Sequence, residues 1–342
     1  MSAGTRPAPT HRPLAASSPA PARSGWLISP WIDALLVANV AWPLLLLVQW
    51  NDGFGGHAGV SFWQLYFITT PHRWITLALV FLDRERLSQR WPAFVAVAGV
   101  VVAVCLGVRM STGTLTCLLA IDYVWNAWHF AAQHHGIYRI YGRLSEPTRT
   151  SFLFVEKWSL RLFLLYVILR VAGATWSYAA VESWLLTIDW MVVAIPIGLV
   201  LFDLARGESH SRGRSLYLVS VCTLFLAMLW AVHTSQPRLV LSLATASALF
   251  HAIEYLTLVG WSVARRHGTL GDRMGLLGYL APRWAIALAM FMVILGSSGW
   301  LLDQHLLKPW LLVNVIVAFL HYAYDGMIWR GPGTVGAAHG KG

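Results

Sequence analysis

Residues 309–329 read PWLLVNVIVAFLHYAYDGMIW. As a helix rising about 1.5 Å per residue, this stretch is long enough to cross the ~30 Å hydrocarbon core of a bilayer. It contains no lysine or arginine, yet it carries His321 and Asp325, four residues apart and so on one helical face. Ionisable groups at that depth are costly in lipid and are kept where they face a protein interior or do chemistry. The reading is a membrane helix with a polar stripe turned inward.

The rest of the chain repeats the pattern. Of its 342 residues, 57% are hydrophobic and 12% charged, whereas a soluble domain carries about a quarter charged residues. Such a chain cannot cover a water-facing surface. It lacks the alternating pattern of a membrane β-barrel, and helices satisfy their own backbone groups in lipid. Apolar segments of spanning length fall near 31–49, 60–82, 92–108, 113–138, 152–170, 183–203, 215–233, 239–263, 284–302 and 309–329. The expected fold is an all-α, polytopic transmembrane bundle of about ten spans over residues 26–330. A basic, Pro/Ala-rich tail (1–25) precedes it and a glycine-rich tail (331–342) follows. Both have the composition of disordered segments, and the first lacks the apolar centre of a signal peptide.

The charges orient the bundle. The net charge of +10 is spread over short loops, which excludes a nucleic-acid surface. With the N-terminus inside, the inner segments hold eighteen Lys and Arg residues and the outer loops four, Arg109, Arg170, Arg238 and Lys308. Positive charge collects on the cytoplasmic side, so both termini are expected there. The protein is then a multi-pass protein of the cell inner (plasma) membrane, surrounded by membrane lipids. The three cysteines have no metal-site or disulfide spacing. No nucleotide-binding loop is present, which argues against an ATP-driven pump.

Polar residues inside the spans mark the candidate site. The second span holds Thr70-Pro71-His72-Arg73, and the fourth holds Asp122, Asn126, His129, Gln133, His134 and His135. The eighth holds His251 and Glu254, and the tenth His321 and Asp325. Asp122, Asn126, His129 and Gln133 recur at helical spacing and share a face. His72, His129, His251 and His321 all fall within a slab on the order of 8 Å thick, judged from the helical rise. His134 and His135 point away from His129 by roughly 140° and 240°, so they join a common site only through a distorted helix. Arg73 has an alternative role as the ion-pair partner of Asp122.

The candidate metal ligands are thus His72, His129, His134, His135, His251 and His321. The candidate catalytic carboxylates are Glu254, Asp325 and Asp122, with Gln133 orienting ligands from behind. Imidazole and carboxylate without thiolate suit iron, copper, zinc or manganese. A redox role favours non-haem iron with dioxygen, and a substrate that arrives through the bilayer is a lipid, isoprenoid or carotenoid. Two other readings use the same residues: a haem-binding electron-transfer protein, and a transporter or proton pathway. A single buried histidine often does no more than bond two helices together. It is the set that argues for more.

Pro71-His72 in an early span, His129-Phe130 in a middle span, the later His251 and the final His321-x-x-x-Asp325 together resemble the Brp/Blh family. These are integral membrane, iron-dependent β-carotene 15,15′-dioxygenases. The resemblance covers about a tenth of the chain and implies iron ligation by His72, His129, His251 and His321. The family has paired histidines where this chain reads His251-Ala-Ile-Glu254-Tyr, and glycine where Arg73 stands. There is a looser likeness to polyhistidine membrane desaturases and hydroxylases, whose HxxHH boxes this chain lacks.

Overall fold

The computed structural model describes residues 25–51, 62–145, 152–173, 179–205 and 212–329. The two tails read from the sequence therefore lie outside the described residues, apart from Gly25. Nearly everything described is helix, turn or bend, with no strand among the described residues.

In chain order, α1 (Pro30–Ile32) runs into a π-helical turn (Asp33–Val37) and is followed by α2 (Trp42–Asn51). A second π-helical turn (Leu65–Thr69) leads into α3 (Thr70–Phe81). Next come α4 (Arg84–Thr112), α5 (Thr116–Ser145), α6 (Leu153–Gly173), α7 (Ala179–Ala205), α8 (Arg212–His233) and α9 (Pro237–Leu270). After a short 3₁₀ turn come α10 (Leu276–Leu280), another 3₁₀ turn and α11 (Trp284–Ile328).

Five helical stretches are long and apolar enough to cross a membrane: Arg84–Thr112, Glu182–Ala205, Arg212–His233, Pro237–Met274 and Leu276–Ile328. A sixth is added if Pro30–Val37 and Trp42–Val48, bent by 47° between them, form one broken span. The break lies at Asn39, whose φ of 44° is left-handed, a conformation asparagine tolerates better than most residues. Its amide donates to the Leu36 carbonyl at 3.1 Å. The sequence reading treats 31–49 as one segment and misses this bend.

Local chemistry sets the other ends. Asp83 caps α4, its carboxylate accepting from the Arg86 N–H at 3.1 Å, as N-cap acids do. Gly113 ends the same helix with φ of 67°, a geometry that suits glycine. Within α4, Arg90 leaves helical geometry two residues before Pro92. Proline has no N–H and crowds the preceding turn.

A sharper break lies in α11 at Leu306 (φ −134°, ψ 43°), three residues before Pro309. Trp284 and Leu288, from its start, pack in the same apolar cluster as Ile328, from its end. A straight helix would hold those ends about 60 Å apart. The two arms are therefore antiparallel, as the separate segments 284–302 and 309–329 require. Gly296 and Gly299 permit the close approaches: a Cβ on Gly296 would lie 2.6 Å from Phe67, and one on Gly299 2.8 Å from Trp310. Small residues serve this purpose between membrane helices.

The apolar interior has a large part under α5, α6, α8 and α9, which includes Tyr138, Phe163, Tyr217 and Phe250. A second part lies between α3, α9, α10 and α11, around Ile75, Leu79, Tyr255 and Val259. Helix α11 packs on α3, α5 and α9. The polar faces read from the sequence meet at that junction.

Candidate metal centre

Four buried imidazoles from four helices converge here. His72 begins α3, His129 lies midway along α5, His251 in α9 and His321 in the second arm of α11. Ring centroids are 5.4 Å apart for His72 and His251, 5.2 Å for His72 and His321, 5.3 Å for His129 and His251, and 4.7 Å for His129 and His321. His129 Nε2 and His321 Nε2 are 3.1 Å apart. Asp325, one helical turn beyond His321, places Oδ2 3.9 Å from both of these nitrogens.

The atoms behind the rings fix which nitrogen faces inward. His72 Nδ1 meets the Thr69 carbonyl at 2.5 Å. A carbonyl only accepts, so this nitrogen carries the proton and Nε2 keeps its lone pair. His321 Nδ1 lies 2.7 Å from Thr76 Oγ1. The Tyr255 hydroxyl donates to Asp325 Oδ1 at 2.6 Å, and the Thr76 proton is shared between the Tyr255 oxygen at 2.6 Å and Asp325 Oδ1 at 3.3 Å. With its own proton engaged there, Thr76 accepts from His321 Nδ1–H, and His321 Nε2 is left as a donor of electrons. Hydrogen bonds of this kind commonly orient metal-binding histidines.

His251 is the unsatisfied member. Its ring stacks on Phe130 with centroids 3.8 Å apart, and neither ring nitrogen has a hydrogen-bond partner among the described residues. A buried polar atom left without a partner costs about 1–3 kcal/mol. An ion accepting a lone pair of His251 would remove part of that cost.

Two groups of donors suit a cation: His72, His251 and His321, and His129, His321 and Asp325, each with one ligand atom per residue all within 4.8 Å. Metal–nitrogen bonds of about 2.1 Å hold two donors at most about 4.2 Å apart, so small side-chain adjustments close either set. The donors are nitrogen and oxygen, which fits iron, manganese, zinc or copper and not a thiolate-seeking ion.

The other residues singled out in the sequence take different places. His134 is not in either group. Its Nδ1 lies 2.8 Å from Tyr217 OH and 3.3 Å from Glu254 Oε2, because five residues on from His129 the helix has turned to its α8 side. Glu254 accepts from Tyr217 OH at 2.6 Å and so belongs to this neighbouring network. His135 is buried, with Arg161, Arg139 and Lys157 as its charged neighbours, and is also outside both groups. Asp122 accepts from Tyr322 OH at 2.9 Å and lies 4.0 Å from Arg73. Gln133 donates to the His251 carbonyl at 3.2 Å.

Thr76, Tyr255, Tyr217 and Tyr322 went unnoticed in the sequence. Thr76 and Tyr255 each stand four residues after a cluster histidine, so the same-face rule would have found them. His233, the last residue of α8, bonds Asp189 at 3.1 Å. Asp189 also pairs with Arg170 at 3.3 Å.

Fold and site together define a membrane-compatible helical protein with a buried histidine–aspartate centre of metal-binding geometry. No family model, curated protein or solved structure matches the chain.

Proposed function

We propose that the chain is a multi-pass membrane metalloprotein, an oxidoreductase of the non-haem iron type that uses dioxygen on a lipophilic substrate reaching it through the bilayer. The observation that carries this reading is the convergence of His72, His129, His251 and His321 from four helices, with both nitrogens of His251 without a hydrogen-bond partner among the described residues. The resemblance to Brp/Blh dioxygenases points to the same chemistry. His72, His129, His251, His321 and Asp325 would hold the ion. A bound iron would supply activation of dioxygen. The chain's own part is to hold Nε2 of His72 and His321 inward, to keep Asp325 oriented, and to exclude bulk water with Phe130 and Tyr255.

In this reading the chain crosses the inner membrane ten times with both termini cytoplasmic. Support comes from the arginine asymmetry of the loops and from the antiparallel arms of α11. The His134–Tyr217–Glu254 network favours a second reading, a proton pathway. That reading predicts proton flux in liposomes carrying metal-free protein. The test of the first is elemental analysis with an optical spectrum: iron near one or two equivalents and no Soret band support it, and metal-free protein removes it.

A further inference from the structure

We infer that Arg73 is the anchor for an oxyanion at the end of the lipophilic substrate. This rests on the proposed function of the neighbouring centre and adds the substrate's chemical class.

Arg73 directly follows His72 in α3 and so lies at the depth of the histidines. Its side chain is 28% exposed. An arginine presents five N–H donors and stays charged. Yet among the described residues Arg73 makes no hydrogen bond, and its one ion-pair partner, Asp122, stands at 4.0 Å. Asp122 is itself held by Tyr322 OH. Arg170 and Arg214, which are buried, each have a carboxylate at 3.4 Å or closer, and Arg86, with its carboxylate at 3.9 Å, also donates to the Leu79 carbonyl. A loosely paired, partly open guanidinium inside the membrane is costly, and a carboxylate or phosphate offering two oxygens is the group that best matches its fork.

Aromatic side chains pack nearby. Trp74 stacks on Trp310 with 14° between planes. Trp125 stacks on Phe319 and contacts Tyr322. A lipophile pinned by its acidic end at Arg73 is held next to His72, its neighbour in the sequence. Asp122 competes with that acid for the guanidinium.

The experiment is scintillation-proximity binding of tritiated palmitic acid to the full-length protein in a neutral detergent. Unlabelled palmitic acid, methyl palmitate and phosphatidylglycerol serve as competitors, with iron content measured on the same samples. The wild type is expected to prefer the acid to the ester at least tenfold, and Arg73→Gln to lose that preference. Asp122→Asn keeps the arginine and removes its competitor, so acid affinity should rise at least threefold. Phosphatidylglycerol competing as well as palmitic acid, in an Arg73-dependent way, assigns the oxyanion to a lipid headgroup at the same anchor. Equal competition by acid and ester in the wild type, or a preference that survives Arg73→Gln, overturns the inference. Iron-free protein that still selects the acid would sink the metal reading and leave the anchor standing.

Discussion

His129 Nε2 and His321 Nε2 face each other at 3.1 Å across the junction of α5 and α11. Two nitrogens at that spacing are within the reach of one ion, since bonds of about 2.1 Å allow up to about 4.2 Å between donors. The His321 Nδ1 proton is engaged with Thr76, which leaves the facing nitrogen bare.

The first prediction follows from that proton. Thr76→Val removes the acceptor behind His321, and the ring loses its preferred tautomer. Metal retention against a chelator should fall about 10- to 100-fold, while Thr76→Ser should stay near the wild type. Equal retention in both variants would show that the hydroxyl does not orient His321.

A second prediction separates the two polar networks. His134→Ala should leave metal stoichiometry unchanged, because His134 contacts Tyr217 and Glu254. It should lower stability by about 1–3 kcal/mol, since buried polar groups lose a partner. Thermal unfolding in detergent, paired with elemental analysis, reads both quantities. Loss of metal in this variant would move His134 into the centre.

How much of this was legible in the sequence follows from the range of the interactions. His321 and Asp325 lie one turn apart in an apolar run, and periodicity alone puts them on one face. His72, His129 and His251 were found because ionisable residues stand out in lipid-length segments. Tyr217 could not be found that way, for its partners His134 and Glu254 sit on other helices. His134 and His135 fall outside both donor groups, for the angular reason already visible in the spacing. The bend at Asn39 was hidden because a left-handed asparagine leaves no mark in hydropathy. The break at Leu306 was signalled by Lys308-Pro309.

The third prediction concerns the packing of the first arm of α11 on the π-helical turn Leu65–Thr69. Gly296→Leu drives a side chain into Phe67 and the Tyr66 carbonyl, which a Cβ alone would approach to 2.8 Å. Overpacking of this kind costs about 1–3 kcal/mol. A detergent unfolding curve should shift accordingly, whereas Gly326→Ala, where a Cβ meets nothing within 4 Å, should leave it unmoved.

Topology offers a fourth. In a cysteine-free background, Ser111→Cys should react with a membrane-impermeant maleimide on intact cells. Arg265→Cys should react only after permeabilisation. Both residues are exposed. Labelling of both from one side would contradict the ten-span arrangement.

The central claim is that four imidazoles and one carboxylate share an ion. It is tested most directly by elemental analysis of purified wild type, His129→Ala and His321→Ala. The account predicts stoichiometric iron in the wild type and its loss in both variants, with folding retained by circular dichroism. Wild-type protein that carries no metal, or variants that keep all of it, would contradict it.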